Sequence, residues 1–289
     1  MTRLSLLAAC AALTLAAPAV AQQHDHGRQG AAALTKPKPA EDAALMTVLA
    51  GRSEADRARD AFRRPAEALT FWGLRPGMTI LEVQPGGGWW TEILAPYAKA
   101  TGGRYISTGA DLNNPALSEQ AKKARADLEA KLKDPRYGQT AVWNWGPQSA
   151  SPPANSVDFI LAARVFHGWA RQPGFTDKAM KDFATALKPG GVLAVEQHRA
   201  AEGVLKPETG YVPESYVIQA AERAGLKLAA RSEMNANPKD DRDHPFGVWT
   251  LPPTRVSEQG DRKLTAEERA EFDAIGESDR MTLRFVKPG

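Results

Sequence analysis

Residues 79–90 constrain the fold of this 289-residue chain more than any other segment. They read TILEVQPGGGWW, so a short apolar run ends at an acid, and a turn with three consecutive glycines leads into a helix-like segment. Glycine allows positive φ and lets a ligand approach main-chain N–H groups closely. A triple-glycine turn is more often only a tight strand-to-helix connection, so its meaning depends on the rest of the chain.

Strand patterns and helix patterns alternate through almost all of residues 41–289. The sequence predicts strands at residues 79–83, 104–108, 140–143, 157–163, 192–195, 226–234 and 280–286. It predicts helices at residues 43–49, 54–62, 66–72, 89–97, 115–132, 176–187, 213–224 and 265–275. This alternation is typical of a doubly wound α/β fold, with a mostly parallel sheet and helices on both faces.

The last two predicted strands are separated by an insert near residues 235–264 that reads mostly as loop. Without a crossover helix packed between them, we expect an antiparallel strand at that edge of the sheet. In such sheets, ligands bind beyond the carboxyl ends of the strands, where the strand order reverses. The glycine turn after the first strand lies there.

The N-terminal residues have the pattern of an export signal. Arg3 precedes an apolar run at residues 4–17, and Ala-Val-Ala at residues 19–21 resembles a signal-peptidase site. We therefore predict a signal peptide over residues 1–21, cleaved after Ala21, a flexible polar leader over residues 22–40, and a periplasmic or secreted protein. A lipoprotein signal ending at Cys10 is the weaker alternative, because it would leave an apolar segment of only residues 4–9.

Composition excludes several classes of function. Cys10 is the only cysteine and lies in the predicted signal, so the mature protein has no thiolate nucleophile, disulfide or cysteine-ligated metal. His24 and His26 lie in the polar leader, where a solvated tail is more common than a metal site, and we expect no metal. The formal charge is +3, or +2 without Arg3, and no basic stripe points to nucleic acid. The apolar run is too short and alanine-rich to predict a membrane span.

Three motifs carry a resemblance to a known family. They are LEVQPGGG at residues 81–88, VDFIL at residues 157–161 and LKPGGVL at residues 187–193. In order and spacing, residues 50–289 resemble the class I S-adenosylmethionine-dependent methyltransferases. The Pro-Gly-Gly-Gly-Trp turn resembles a subgroup of predicted secreted bacterial methyltransferases. The resemblance implies a Rossmann-like methyltransferase sheet and S-adenosyl-L-methionine as the cofactor.

The resemblance also implies where the cofactor would bind. It places Glu82 near the amino-acid part of the cofactor. The second strand lacks the family's terminal acid for the ribose hydroxyls, and Asp111 is the nearest candidate. Asn144 stands where the family has an acid that reads the adenine amino group. Further cofactor contacts are expected from the turn and from the end of the fourth strand, at Pro85, Gly86, Gly87, Gly88, Ala163 and Arg164.

Candidate catalytic residues follow the strand ends. Methyl transfer from a sulfonium is an in-line displacement, so the protein mainly aligns the reactants, and a base helps only if the acceptor must lose a proton. His167 follows the fourth strand and His198 follows the fifth, with Glu196 as a possible partner of the His198 imidazole. Either histidine could instead hydrogen-bond a loop carbonyl.

Two functions remain open from the sequence. The first is an exported methyltransferase that acts on a small-molecule acceptor, which Glu82 and the glycine turn favour. The alternative is a catalytically inactive methyltransferase-fold protein that serves as a binding or scaffold protein of the bacterial envelope. The missing ribose acid and the predicted export favour this alternative. A nicotinamide-dependent dehydrogenase is disfavoured because the G-x-G-x-x-G spacing is absent. The sequence does not indicate the acceptor, the atom methylated or the oligomeric state.

Overall fold

The strands of the computed structural model, which describes residues 42–289, follow the predicted order. They are β1 (Thr79–Glu82), β2 (Arg104–Ala110), β3 (Thr140–Trp145), β4 (Val157–Ala163), β5 (Leu187–His198), β6 (Lys227–Ser232), β7 (Glu258–Gln259), β8 (Arg262–Lys263) and β9 (Arg280–Val286). The predictions for the signal, for the leader and for Cys10 lie outside the described residues.

Within residues 42–289, one seven-stranded sheet has the order β3-β2-β1-β4-β5-β9-β6. The pairs from β3 to β5 are parallel. β9 runs antiparallel to both of its neighbours, β5 and β6. The structure thus confirms a mostly parallel sheet with antiparallel pairing at one edge. The antiparallel strand is β9, which lies second from that edge, because β6 covers its outer side.

The helices lie between the strands as the alternation predicts. They are α1 (Ala43–Ala50), α2 (Glu54–Arg57), α3 (Asp60–Arg63), α4 (Pro65–Trp72), α5 (Thr91–Ala100), α6 (Glu119–Leu132), α7 (Phe166–Ala170), α8 (Phe175–Ala186), α9 (Glu214–Arg223) and α10 (Ala266–Ile275). No described helix is both long and apolar enough to cross a membrane.

The start of α2 agrees with its prediction, and its end does not. The Ser53 hydroxyl accepts a hydrogen bond from the backbone N–H of Asp56, as an N-cap does. The predicted helix over residues 54–62 is divided into α2 and α3 at Ala58 and Arg59. The Arg59 guanidinium donates to the carboxylate of Glu277 across the fold, a contact that local helix propensity does not contain.

The sheet is buried on both faces, as expected for parallel strands. Adjacent residues of β1 show this directly. Leu81 packs with Phe183 of α8 and Val217 of α9, whereas Ile80 packs on the other face with Leu69 of α4 and Leu94 of α5. The core therefore holds the carboxyl ends of β1 and β4 rigidly, and the site is built on those ends.

The insert over residues 235–264 contains little regular structure, as predicted. A 3-10 turn at Gly247–Thr250 and the β7–β8 hairpin are its regular parts. The 3-10 turn closes over the carboxyl ends of the strands, where Trp249 meets the His167 ring edge to face, at 5.8 Å between centroids.

Candidate active site

Three adjoining cavities lie at the carboxyl ends of β1, β2, β4 and β5. The outer cavity, of about 410 Å³, is lined by Gln84, Asp111 and Trp145 among others. The glycine-turn cavity, of about 270 Å³, is lined by residues that include Glu82, Gln84, Gly87 and Arg164. The arginine cavity, of about 360 Å³, is named for Arg59, Arg63 and Arg164, which it shares with the glycine-turn cavity. Shared lining residues thus place the three cavities side by side along one groove at this edge of the sheet.

The glycine turn leaves open space at Gly86 and Gly87, and of these two Gly87 lines the glycine-turn cavity. Gly86 has φ 57°, a left-handed conformation that favours glycine. A methyl group added at Gly86 or Gly87 would meet no atom of the described residues within 4 Å. Pro85 and Ala163 also line this cavity. At Gly88, by contrast, an added Cβ would lie 2.7 Å from Nζ at the flexible end of the Lys131 side chain, which would have to move, and φ 78° is itself a conformation that favours glycine.

Glu82 ends β1 and is only 3% exposed. Its Oε2 accepts hydrogen bonds from the Thr91 hydroxyl at 2.8 Å and from the Tyr105 hydroxyl at 2.6 Å. Burial raises the pKa of Glu82 to about 7, although both hydrogen bonds oppose the rise. The carboxyl group is therefore close to its titration point at neutral pH, and a nearby cation would favour its charged form.

Gln84 connects the glycine-turn cavity with the outer cavity, and sequence reasoning did not identify it. Its backbone adopts a left-handed φ of 48°, and its N–H donates to the Thr108 hydroxyl at 2.8 Å. Its side-chain oxygen accepts from Nε1 of Trp169 at 2.9 Å. The hydrogen bond from Trp169 of α7 therefore fixes the orientation of the Gln84 side chain. In the sequence, only the position of Gln84 directly after Val83 could have indicated that it belongs to the site.

Asp111 and Asn144, the two candidates for the nucleoside, are placed differently. Asp111 is the first residue after β2, and it lines the outer cavity with Asn114 and Leu117. Asn144 is not among the described residues that line this cavity, and its side-chain oxygen accepts from Nη1 of Arg125 at 2.8 Å. Side chains alternate along a strand, so the next residue, Trp145, reaches the cavity instead.

His167 and His198 meet in the arginine cavity, with ring centroids 6.0 Å apart. Nδ1 of His198 lies 2.5 Å from the Ser278 hydroxyl, and Nδ1 of His167 lies 3.5 Å from the Gln197 amide nitrogen. Burial, followed by the nearby Arg171 charge, lowers the pKa of His167 to about 4. Burial and then His167 lower the pKa of His198 well below its ordinary value. Both imidazoles are therefore neutral at pH 7.

Glu196 does not orient the His198 ring, contrary to the sequence interpretation. It is fully buried, and its Oε1 lies 2.9 Å from Nη1 of Arg280 on β9. A buried carboxylate requires a positive partner, and β9 supplies it because β9 pairs directly with β5. Ser278, Glu277 and Arg280 all come from the chain around the start of β9, which no motif in the sequence marks as part of a site.

A second group of acidic and histidine side chains lies in the insert. Ligand atoms of Asp240, Asp241 and His244 come within 4.8 Å of one another. The Asp240 carboxylate already accepts from the Tyr211 hydroxyl, with 2.9 Å to each oxygen, and from the backbone N–H of Asp279 at 2.7 Å. His244 Nε2 lies 2.8 Å from the same carboxylate. Protein donors therefore surround this carboxylate, which ties the insert to β9.

Comparisons with known proteins identify the family of the chain and similar folds. Residues 55–239 match the family described as a methyltransferase domain. The fold is similar to a protein from Galdieria sulphuraria assigned as a sarcosine dimethylglycine methyltransferase, with 17% identity, a TM-score of 0.50, and coverage of 86% of this chain and 99% of that chain. It is also similar to a SAM-dependent methyltransferase from Aquifex aeolicus, with 22% identity, a TM-score of 0.46, and coverage of 65% and 92%. No curated protein matches the sequence.

Proposed function

Because the chain belongs to the methyltransferase domain family, with S-adenosylmethionine as the expected cofactor, we propose that it is an exported methyltransferase that methylates a small-molecule acceptor. The observation that carries the proposal is the groove formed by three adjoining cavities at the tips of β1 and β4. Its middle section holds Glu82 and the open face of the glycine turn, and its two ends lead to separate cavities. Such a groove suits a two-substrate reaction, with a cofactor and an acceptor entering from different sides.

The side chains of the groove fit the parts of S-adenosylmethionine. Glu82 would face the cationic amino-acid and sulfonium part, and the backbone of Gly86 and Gly87 would lie under it. Asp111 would accept from the ribose hydroxyls, and the apolar surface of Leu117 and Trp145 would contact the adenine. When bound, the cofactor supplies a methyl group whose bond to sulfur breaks as the acceptor bonds to it, and the electron pair stays on sulfur.

The arginine cavity would hold the acceptor, since it adjoins the glycine-turn cavity at Arg164. Its walls, which include Val248 and Trp249, would align the acceptor and exclude water. His167 and His198 would act as neutral hydrogen-bonding groups, because a pKa of about 4 makes His167 a weak base at neutral pH. An acceptor that enters already deprotonated suits this cavity better than one that must lose a proton from a high-pKa group.

Calorimetric titration of the purified protein tests the cofactor part of the proposal. We expect S-adenosylmethionine and S-adenosylhomocysteine to bind and NAD not to bind. Glu82→Ala should lose this affinity, whereas Glu222→Ala, a change at an exposed position of α9, should keep it. Unchanged binding by Glu82→Ala would show that the cofactor site is elsewhere. A protein that binds none of the three ligands would support the inactive scaffold instead.

Export is a separate part of the proposal, supported by the pattern of residues 1–21 and by the Pro-Gly-Gly-Gly-Trp turn. Expression of the full chain in a Gram-negative bacterium, followed by fractionation and mass spectrometry of the N-terminus, tests it. We expect a periplasmic protein that begins at Gln22. A lipid-modified Cys10 would favour the lipoprotein alternative, and an intact N-terminus in the cytoplasm would contradict export.

A further inference from the structure

Charged side chains gather at the arginine cavity and directly behind it. In the described part of the chain, four arginines and two glutamates make up this group, which we call the arginine cluster: Arg59, Arg63, Arg164, Arg280, Glu196 and Glu277. They come from α3 and the residue before it, from the residue after β4, from β5, and from the chain at the start of β9. The cluster is therefore assembled by the fold and not by a local motif.

The carboxylates of Glu196 and Glu277 are paired with three of the four arginines. Glu277 Oε1 accepts from Nε and Nη2 of Arg59 at 3.0 and 2.9 Å, and Glu277 Oε2 accepts from Nη1 of Arg280 at 2.7 Å. Nε of Arg63 lies farther from Glu277 Oε2, at 3.5 Å. Arg280 also pairs with Glu196. Arg280, Arg63 and Arg59 hold the pKa of Glu277 below its usual range despite burial, so this carboxylate is ionised.

Arg164 has no such partner. Its guanidinium forms no hydrogen bond and no ion pair with residues 42–289, and its Nη1 is buried without an acceptor. Its backbone is fixed in a left-handed conformation, φ 59°, by a 2.6 Å hydrogen bond from its N–H to the Glu196 carbonyl. A non-glycine residue at positive φ carries strain that other contacts must offset. Arg164 borders both the glycine-turn cavity and the arginine cavity.

Arg63 is also incompletely paired. It is only 3% exposed, and its Nη1 has no hydrogen-bond partner among the described residues. Its guanidinium lies over the Trp89 ring, 4.5 Å from the centroid, which gives partial compensation. Burial and the nearby Arg164 lower the pKa of Arg63 to about 8. The charges of Glu277 and Glu196 oppose this shift without cancelling it, so the Arg63 guanidinium remains incompletely compensated.

The charge count of the cluster decides what it can bind. Four guanidinium groups against two carboxylates leave an excess of two positive charges, and the neutral imidazoles of His167 and His198 add none. Arginine stays protonated in proteins, so this excess is not removed by loss of a proton. Burying unpaired charge costs several kcal/mol per ion, and a bound anion would offset that cost. S-adenosylmethionine brings one carboxylate but also an ammonium and a sulfonium group, so its net charge is positive and the cofactor as a whole does not remove the excess.

We propose that the arginine cavity binds the methyl acceptor through an anionic group, a carboxylate or a phosphate, held by Arg164 with Arg63 beside it. The apolar wall formed by Val248, Trp249 and Pro252 faces the same cavity and would contact the uncharged part of the acceptor. This inference rests on the proposed function, because it identifies the chemical class of the second substrate.

Titrations with a matched pair of small molecules test the proposal. Benzoate and benzamide have the same ring and nearly the same shape, but only benzoate is charged. Both are titrated into the full chain, first alone and then with saturating S-adenosylhomocysteine. We expect benzoate to bind at least about tenfold more tightly than benzamide under both conditions, because charge-assisted hydrogen bonds to arginine are stronger than neutral ones. Phenyl phosphate, titrated in parallel, distinguishes a carboxylate site from a phosphate site.

Variants assign the preference to the cluster. Arg164→Gln should bring the affinity for benzoate close to that for benzamide, whereas Arg223→Gln, which changes an exposed arginine on α9, should leave the preference intact. If Arg164→Gln does not fold, Arg59→Gln serves instead, because Arg59 is partly exposed and lines the same cavity. Its loss removes one positive charge from the cluster, so benzoate affinity should still fall several-fold.

The possible results distinguish an anion site for the acceptor from a site for the carboxylate of the cofactor. Equal binding of benzoate and benzamide by the unaltered protein would overturn the proposal, as would an unchanged preference in a folded Arg164→Gln. Benzoate that binds only without S-adenosylhomocysteine would assign the cluster to the carboxylate of the cofactor, and the proposal would be wrong. Benzoate binding by a protein that does not bind S-adenosylhomocysteine would refute the proposed function and leave the anion site intact.

Discussion

Replacement of Glu82 by glutamine tests whether the carboxyl group at the tip of β1 titrates near neutral pH. Glutamine keeps the shape of the side chain and an oxygen that can accept from Thr91 and Tyr105, but it has no proton to lose. Any difference between the two proteins that varies with pH therefore reports the ionisation of Glu82. A constant cost of the substitution cancels when two pH values are compared.

The magnitude follows from the burial of this carboxyl group. Its pKa rises from 4.5 to about 7 on folding, which corresponds to roughly 3 kcal/mol at 1.36 kcal/mol per pKa unit. Because the folded chain holds the proton more tightly, Glu82 stabilises the fold below pH 4.5 relative to higher pH, and this stability is lost as the pH rises to about 7. The loss amounts to about 1 kcal/mol at pH 5 and about 3 kcal/mol at pH 8.

Equilibrium urea unfolding, followed by circular dichroism at pH 5 and pH 8, measures this effect. The free energy of unfolding of Glu82→Gln minus that of the unaltered protein should rise by about 2–3 kcal/mol between the two pH values. Glu222→Gln, at an exposed position, should show no such change. A difference for Glu82→Gln that stays constant within about 0.5 kcal/mol would refute the reasoning that burial dominates the environment of this carboxyl group.

Three further substitutions give clear expectations. Gly87→Ala should leave the melting temperature nearly unchanged, because Gly87 does not have a positive φ and its Cβ would enter open space. The same substitution should weaken S-adenosylhomocysteine binding in calorimetry, and equal affinity would place the cofactor away from the turn. Asp111→Asn should weaken the same binding by about tenfold, or 1.4 kcal/mol, and no loss would remove Asp111 from the nucleoside site. Arg280→Met should lower the free energy of unfolding by about 3–5 kcal/mol, because Glu196 loses its buried partner. Adding Glu196→Gln should restore part of that stability, and a double variant no more stable than Arg280→Met would contradict this explanation.

The sheet was predictable from the sequence because its strands carry strong local patterns. β4 begins and ends where the apolar run between two turns predicted, and β9 does so where alternation predicted. The sequence also indicated that ligands would bind at the carboxyl ends of the strands, since strand order in a doubly wound sheet determines that edge. Helix ends were less accurate, and α5 begins at Thr91 instead of Trp89 because the glycine turn continues through both tryptophans.

The contacts of the site residues were not predictable, because their partners are distant in sequence. Tyr105 reaches Glu82 across 23 residues, and Ser278 reaches His198 across 80. Arg59 reaches Glu277 across 218 residues. No local pattern records such pairs, so the arginine cluster appears only once β9 is seated beside β5. Gln84 was missed for another reason. A glycine in the sequence indicates that the backbone can adopt a left-handed conformation, whereas a glutamine gives no such indication.

The position of β9 has a consequence for the order in which the protein can be made. β6 leaves the ribosome before β9, yet within residues 42–289 β6 pairs only with β9. A nascent chain that has not reached residue 280 therefore exposes an unpaired edge along β5 and leaves β6 without a neighbour, a state open to association with other strands. This half of the sheet can close only after nearly all of the chain has been synthesised, so a premature stop before β9 should yield a protein that aggregates instead of a shortened enzyme.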